Sequence, residues 1–256
     1  MKSKNMSAHG GKIIIANWKM NLSIKQALNF AKKVKTFNNK AIIAAPYTFL
    51  PELAKKTSKT LFRLAAQDVA QFEQGAYTGE VSAKMLKEVN CAYCVVGHSE
   101  RRIYFKETDQ IINQKIKRLL EQNIKPILCI GETDQQRKEN LTRKVLKNQL
   151  KVGLKDIINI NKILIAYEPV WAISTFQKGK QKQSAEINDV NEAHLYIKKV
   201  LTDLYGNKAD KVKILYGGTV KPQNSQEILS LNQVDGALVG TASLKISSFN
   251  AILKSI

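Results

Sequence analysis

An α/β fold in the form of a single (β/α)8 barrel is predicted for this chain by three observations. Eight short β-branched runs recur along the sequence with amphipathic helical stretches between them, the pattern of parallel strands joined by helical crossovers. No strand is followed by the G-x-G-x-x-G of a doubly wound sheet, and no linker or composition shift divides the chain. At 256 residues, a barrel of this kind occupies the whole length as one domain. Residues 12–256 are therefore expected to form the barrel, with residues 1–11 a flexible N-terminal extension. A closed parallel barrel carries its active site at the C-terminal ends of its strands, so those positions are the ones to search for chemistry.

The first strand, near residues 12–18, ends in ANWKMN, which sets Asn17 and Lys19 two residues apart and pointing the same way, inward. A lysine inside a barrel needs a carboxylate or an anionic ligand, and both readings are open at this point. Strands two and three fall near 40–45 and 61–67. The fourth, near 92–97, sits in CAYCVVGHSERR, where an apolar run ends at Gly97 and meets His98, Ser99, Glu100 and Arg101 in succession. Such a switch from core to charge marks a functional strand end. His98 is either a satisfied structural histidine or a catalyst, and Glu100 is a natural partner for Lys19.

DQIINQKIKRLLEQN then shows helical periodicity, and the fifth strand follows near 125–130. The sixth, near 162–167, belongs to KILIAYEPVWA: Glu168 follows mainly apolar residues and precedes a proline that begins a loop. A carboxylate between a core strand and a loop can be desolvated, as a general base working near neutral pH requires. AEINDVNEAHLYIKKVLTDLYG reads as a helix stopping at Gly206. Strand seven, near 212–216, runs into YGGTV, and strand eight, near 235–239, into DGALVGTASL. These small-residue turns at adjacent barrel positions either are simple turns or let backbone N–H groups approach a phosphate closely. Phosphate at one side, with Lys, His and Glu at the other, outlines a phosphosugar site.

Composition agrees with a folded globular chain: 44% hydrophobic, 24% charged, with only 13 Gly and 5 Pro. No apolar run is long enough to span a bilayer, and MKSKNMSAHGG leads into a strand-like KIIIA, not a signal-peptide core. Three cysteines are too few and too oddly numbered for a disulfide framework, which fits a reducing cytoplasm as the expected location. Cys91 and Cys94 form a lone CxxC without a second pair or a His cluster, so core packing is the reading adopted over metal or redox chemistry. The net charge of +20 is compatible with nucleic acid, an acidic membrane surface or an anionic small substrate. Its lysines are spread along nearly every helical segment, as on solvated outer faces, and no arginine-rich block with interleaved aromatics suggests a nucleic-acid partner.

The motifs ANWKMN (16–21), VVGHSERR (95–102), PILCIGET (126–133), AYEPVWAI (166–173), YGGTV (216–220) and DGALVG (235–240) together resemble those of the triosephosphate isomerase family, in order and approximate spacing. The resemblance covers residues 12–256. It implies a TIM barrel that interconverts dihydroxyacetone phosphate and glyceraldehyde 3-phosphate, a glycolytic and gluconeogenic step needing no metal or cofactor. It further implies Glu168 as the carbon base, His98 as a neutral electrophile, Lys19 as fixed positive charge and Asn17 as a donor to substrate oxygens. Glu100 would orient Lys19, and Ser99 would hold Glu168 in the open site. Phosphate binding would fall to the backbone N–H groups of Ser174, Thr219, Gly240 and Thr241. The stretch 68–82 resembles the family's interdigitating loop, with Thr78 near its tip, and so implies a homodimer.

Two departures stand out. The lid, PVWAISTFQKGKQKQSAEIN, has Ser174 and Phe176 where the family usually has glycine, and is several residues longer; Phe176 excludes an easy left-handed turn, so the hinge must differ. Thr241 replaces the second glycine of the last phosphate turn, and its bulk either pushes the phosphate outward or adds a hydroxyl hydrogen bond. These departures and the basic surface motivate the alternatives weighed against an isomerase: a catalytically weakened barrel serving as a binding or surface-adhesion protein, a nucleic-acid binder, or another phosphosugar enzyme. An aldolase would need a neutral Schiff-base lysine, for which Lys19 beside a carboxylate is poorly suited.

Overall fold

In the computed structural model of the chain, residues 11–35, 40–57, 62–173, 176 and 185–255 are described. Residues 1–10 of the expected extension, Ser174 and most of the longer lid lie outside the described residues. Eight parallel strands close a barrel in sequence order: β1 (Ile13–Asn17), β2 (Lys40–Ala45), β3 (Phe62–Ala66), β4 (Tyr93–Val96), β5 (Lys125–Ile130), β6 (Leu164–Tyr167), β7 (Lys213–Tyr216) and β8 (Gly236–Val239). β8 closes onto β1 through the register Ile13↔Gly236 to Ala16↔Val239. Each strand lies within a run predicted from the sequence.

The helices are α1 (Ile24–Lys33), α2 (Leu50–Thr57), α3 (Ala83–Glu88), α4 (Ser99–Tyr104), α5 (Asp109–Glu121), α6 (Asp134–Lys138), α7 (Thr142–Gly153), α8 (Ile187–Tyr205), α9 (Ser225–Ser230) and α10 (Ile246–Lys254). The simple alternation gains an extra helix after β4 and after β5, with Lys106 and Asn140 in left-handed turns between the paired helices. Local chemistry sets several ends. Ser23 and Gln26 form a capping box at the start of α1, Thr133 and Gln136 do so for α6, and α8 stops at Gly206, whose φ is +56°.

Two apolar layers result from strand alternation. Ile14, Ala16, Ile43, Leu64, Val96, Leu128 and Ile165 face outward onto the helices, packing with Trp18, Phe30, Ile116, Leu146, Ile197 and Phe249. Ile13, Ile15, Ile42, Ala44, Ala65, Val95, Ile127, Cys129, Leu164, Ala166, Leu215 and Leu238 fill the barrel interior. Continued upward, the inward parity reaches Asn17, Gln67 and Glu168. Continued downward, it reaches Lys40, Arg63, Tyr93, Lys125 and Lys213. Cys91 and Cys94 are buried thiols within the outer layer, and burial pushes the Cys91 pKa up to about 12.

Candidate active site

A cavity of about 490 Å³ opens at the C-terminal end of the barrel. Asn17, Lys19, His98, Glu168, Thr219, Gly240 and Thr241, contributed by five strand ends, all line it. Lys19 does not reach it by strand parity as expected. The strand ends at Asn17, and Lys19 adopts a left-handed turn with φ +52°, its N–H donating to Asn17 Oδ1 at 3.1 Å. Gln67 fixes this unusual backbone by donating from Nε2 to the carbonyls of Lys19 at 3.0 Å and Ala44 at 2.9 Å. Lys19 Nζ then reaches Glu100 Oε1 at 2.6 Å and lies beside Gly240, where a Cβ would stand 3.9 Å from it.

Glu168 is only 2% exposed. The N–H of Ser99, at the start of α4, donates to its Oε2 at 2.9 Å, and His98 Nε2 lies 3.1 Å from its Oε1. The main-chain N–H of Ser99 thus makes this contact, and the Ser99 hydroxyl is buried without a hydrogen-bond partner among the described residues. His98 caps α4, its Nδ1 accepting the Glu100 N–H at 3.2 Å. A ring nitrogen that accepts carries no proton, so this network places the imidazole proton on Nε2, facing Glu168 and the cavity.

Space for Glu168, its backbone and its side chain, comes from two glycines. A Cβ on Gly131 would stand 1.8 Å from the Glu168 carbonyl oxygen, and one on Gly217 would stand 2.8 Å from Glu168 Cγ. Beneath the site the Cys129 thiol is pushed well up, first by burial and then by the Glu168 charge. Just beyond β6, the buried Glu132 carboxylate accepts from Trp171 Nε1 at 2.8 Å and from the Tyr167 hydroxyl at 3.1 Å. Burial raises the Glu132 pKa, with these hydrogen bonds opposing the shift. Arg137 covers Trp171 at 3.5 Å from its ring centroid and pairs with Asp189. Phe176 stacks on Tyr104 at a centroid distance of 6.0 Å.

Thr219 donates its hydroxyl to Ala172 O at 2.7 Å, tying the turn after β7 to the segment after β6. Gly240 caps the 3-10 turn Thr241–Leu244, and its carbonyl accepts from both the N–H and the hydroxyl of Ser243. Thr78 is exposed on a separate loop, away from the cavity lining, next to the stacked pair Phe72 and Tyr77. Sequence reasoning missed Gln67, Glu132, Gly131 and Gly217, and also Lys221 and Lys245, which add positive charge to the cavity wall. A polar residue directly after the apolar run of β3, and GET after that of β5, were the available signals for Gln67 and Glu132.

The family model described as triosephosphate isomerase matches residues 12–256. This chain belongs to the triosephosphate isomerase family. Its sequence is 43% identical over 248 residues to the triosephosphate isomerase of Clostridium botulinum (strain Langeland), covering 94% of this chain and 98% of that one. It is 44% identical over 252 residues to that of Dictyoglomus thermophilum, covering 95% and 99%. The crystal structure of triosephosphate isomerase from Bartonella henselae superposes with a TM-score of 0.85 at 35% identity, over 95% of this chain and 98% of that one. The family is one of TIM-barrel isomerases, and the closed eight-stranded barrel described above has that architecture. No helix among the described residues is long and apolar enough to cross a membrane.

Proposed function

We propose that this enzyme interconverts dihydroxyacetone phosphate and D-glyceraldehyde 3-phosphate through an enediolate, with Glu168 as the base and His98 as the electrophile. The observation that carries this reading is the buried Glu168 carboxylate. It is held between the Ser99 N–H and the His98 Nε2–H at the edge of a cavity whose far wall is two small-residue turns beside lysines. With substrate bound, Glu168 turns from Ser99 to the substrate carbon, removes its proton and returns it to the neighbouring carbon. The neutral His98 donates from Nε2 to the carbonyl oxygen and takes a proton from the adjacent hydroxyl, so the proton count balances across the step. Triosephosphate isomerases are themselves the usual worked example of this pairing of a carboxylate base with a neutral imidazole.

Lys19, oriented by Glu100, supplies fixed positive charge to the enediolate and the phosphate, and Asn17 donates to substrate oxygens. The N–H groups of Ser174, Thr219, Gly240 and Thr241 hold the phosphate; of these Thr219, Gly240 and Thr241 line the cavity, where Lys221 and Lys245 add to the local field. The lid that begins at Pro169 closes over the substrate and excludes water. Residues 12–256 act as one catalytic domain, carrying residues 1–11 as an extension, in the cytoplasm. Two chains pair through the loop at 68–82, with Thr78 reaching toward the partner site; a single-chain mass in solution at micromolar concentration would count against this assembly.

The test is isomerisation of glyceraldehyde 3-phosphate, coupled to NADH-dependent reduction of the dihydroxyacetone phosphate formed, for wild type and Glu168→Gln. Loss of the base is expected to lower kcat by about 10³-fold or more with the fold intact. A folded but inactive wild type, or a variant of near-normal rate, overturns the assignment.

A further inference from the structure

At the opposite end of the barrel, strand alternation does something unusual. The parity that aims Ile42, Ile127 and Leu215 at the barrel axis also aims Lys40, Lys125 and Lys213, the first residues of β2, β5 and β7, into the N-terminal mouth. Arg63 of β3 and Tyr93 of β4 share that parity. Lys125 Nζ lies 5.8 Å from the centroid of the Tyr93 ring. A second pocket, of about 230 Å³, occupies this mouth, and Lys12, Lys162 and Lys211 stand on its wall with the three inward lysines.

One carboxylate answers these six ammonium groups among the described lining residues. Asp235 takes Lys213 at 2.8 Å and spends its other oxygen on the Ile214 N–H at 2.9 Å. Lys12 Nζ donates to the Val234 carbonyl at 2.6 Å, and Lys162 to the Asn123 amide oxygen at 3.0 Å, both neutral acceptors. Lys40, Lys125 and Lys211 have no carboxylate within 4 Å among the described residues. Like charges converging on one concave site repel, and the repulsion is felt: burial lowers the Lys12 pKa, Asp235 opposes that, and Lys213 adds to it. The lysines of the outer helices are dispersed over a convex, solvated surface, whereas these line one pocket.

We propose that the N-terminal mouth of the barrel is a binding site for an oligophosphate anion, gripped by Lys40, Lys125 and Lys213, with Lys12, Lys162 and Lys211 completing the cationic wall. A chain of two or three phosphates matches the site in size and in charge, since its several negative oxygens can each meet a separate ammonium. The pocket lies at the other end of the barrel from Glu168 and shares no lining residue with the cavity there, so an oligophosphate bound here does not compete with the triose phosphate. Two sources present this chemistry, free inorganic oligophosphate and the tail of a nucleoside triphosphate.

The experiment is isothermal titration of the full chain with sodium tripolyphosphate at about 0.15 M salt, where diffuse surface attraction is screened beyond about 8 Å. Binding of one anion per chain is expected. In Lys40→Gln/Lys125→Gln/Lys213→Gln it should weaken roughly a hundredfold, at about fivefold for each ammonium removed. A control with Lys32→Gln/Lys144→Gln/Lys147→Gln, which removes the same charge from exposed helix positions, should weaken it by less than about threefold. Isomerase kcat/KM of the first triple variant should equal that of wild type, which also reports that it folds. Equal affinity for ATP and tripolyphosphate identifies the phosphate chain as the recognised element, and tighter ATP binding adds a nucleoside contact to it. Equal losses in the two triple variants, no binding at this salt, or competition with the triose phosphate would each overturn the proposal.

Discussion

A single methyl group placed under the proposed base tests how tightly this barrel holds Glu168. In Gly217→Ala the new Cβ would stand 2.8 Å from Glu168 Cγ and 3.1 Å from the Tyr167 carbonyl oxygen. Carbon atoms rest at about 3.5–4.0 Å, so the Glu168 side chain must move by about 0.7 Å or more, because the Tyr167 backbone on the other side belongs to β6 and yields little. The carboxylate has little room to absorb the shift. Its backbone is clamped against Gly131, and its oxygens are tied to Ser99 and His98. Misplacement of a reacting group by about 1 Å costs on the order of 10²-fold in rate, so kcat should fall by roughly 10- to 100-fold, about 1.4–2.7 kcal/mol of barrier. KM should change by less than about threefold, since the methyl points at Glu168 and the Tyr167 carbonyl and not at the residues proposed to hold the phosphate. The coupled isomerisation assay gives both constants, and a crystal structure of the variant gives the carboxylate position. A displaced Glu168 with kcat within about twofold of wild type would refute the reasoning; a raised KM at constant kcat would mean that the methyl acts on substrate binding through the turn after β7 instead.

Two further outcomes follow from buried ionisable groups. His194 is fully buried with Nδ1 2.8 Å from the Val190 carbonyl, and burial pulls its pKa from 6.5 down to about 4. Between those values the unfolded chain binds a proton that the fold excludes, so a contribution present above pH 6.5 is lost as pH falls to about 4, roughly 3 kcal/mol in all. Urea unfolding at pH 7 and pH 4.5 should show a smaller acid loss in His194→Asn than in wild type; equal losses would acquit His194. Lys115 is a buried cation between Asp68, at 2.7 and 2.9 Å, and Glu107. Lys115→Met leaves two carboxylates facing each other without it and should cost about 3–5 kcal/mol in denaturant unfolding, partly recovered by adding Asp68→Asn. A cost below about 1 kcal/mol would show that Arg101, at 3.0 Å from Asp68, suffices alone.

Much of the site was legible because the barrel converts strand ends into neighbours. Asn17 and Glu168 continue the inward parity of β1 and β6, and Thr219, Gly240 and Thr241 follow β7 and β8, so a correct strand count was enough to bring them to one cavity. Lys19 was reached for the wrong geometric reason: a left-handed turn pinned by Gln67, 48 residues away, aims it, and no local pattern announces such a partner.

What the sequence by itself determined is the order and period of the elements: alternating runs buried on both faces, helices amphipathic on one, and motifs at the ends where the apolar runs stop. Tertiary structure decided what depends on atoms far apart in the chain. It chose the His98 tautomer through a helix N–H, made Gly131 and Gly217 the space that Glu168 occupies, and brought Glu132 under Trp171. It also turned the first residues of β2, β5 and β7, unremarked as lysines in sequence, into one convergent cationic mouth. Periodicity is a property of neighbours along the chain, whereas hydrogen-bond partners, clearances and converging charges exist only once the sheet has closed and β8 has met β1.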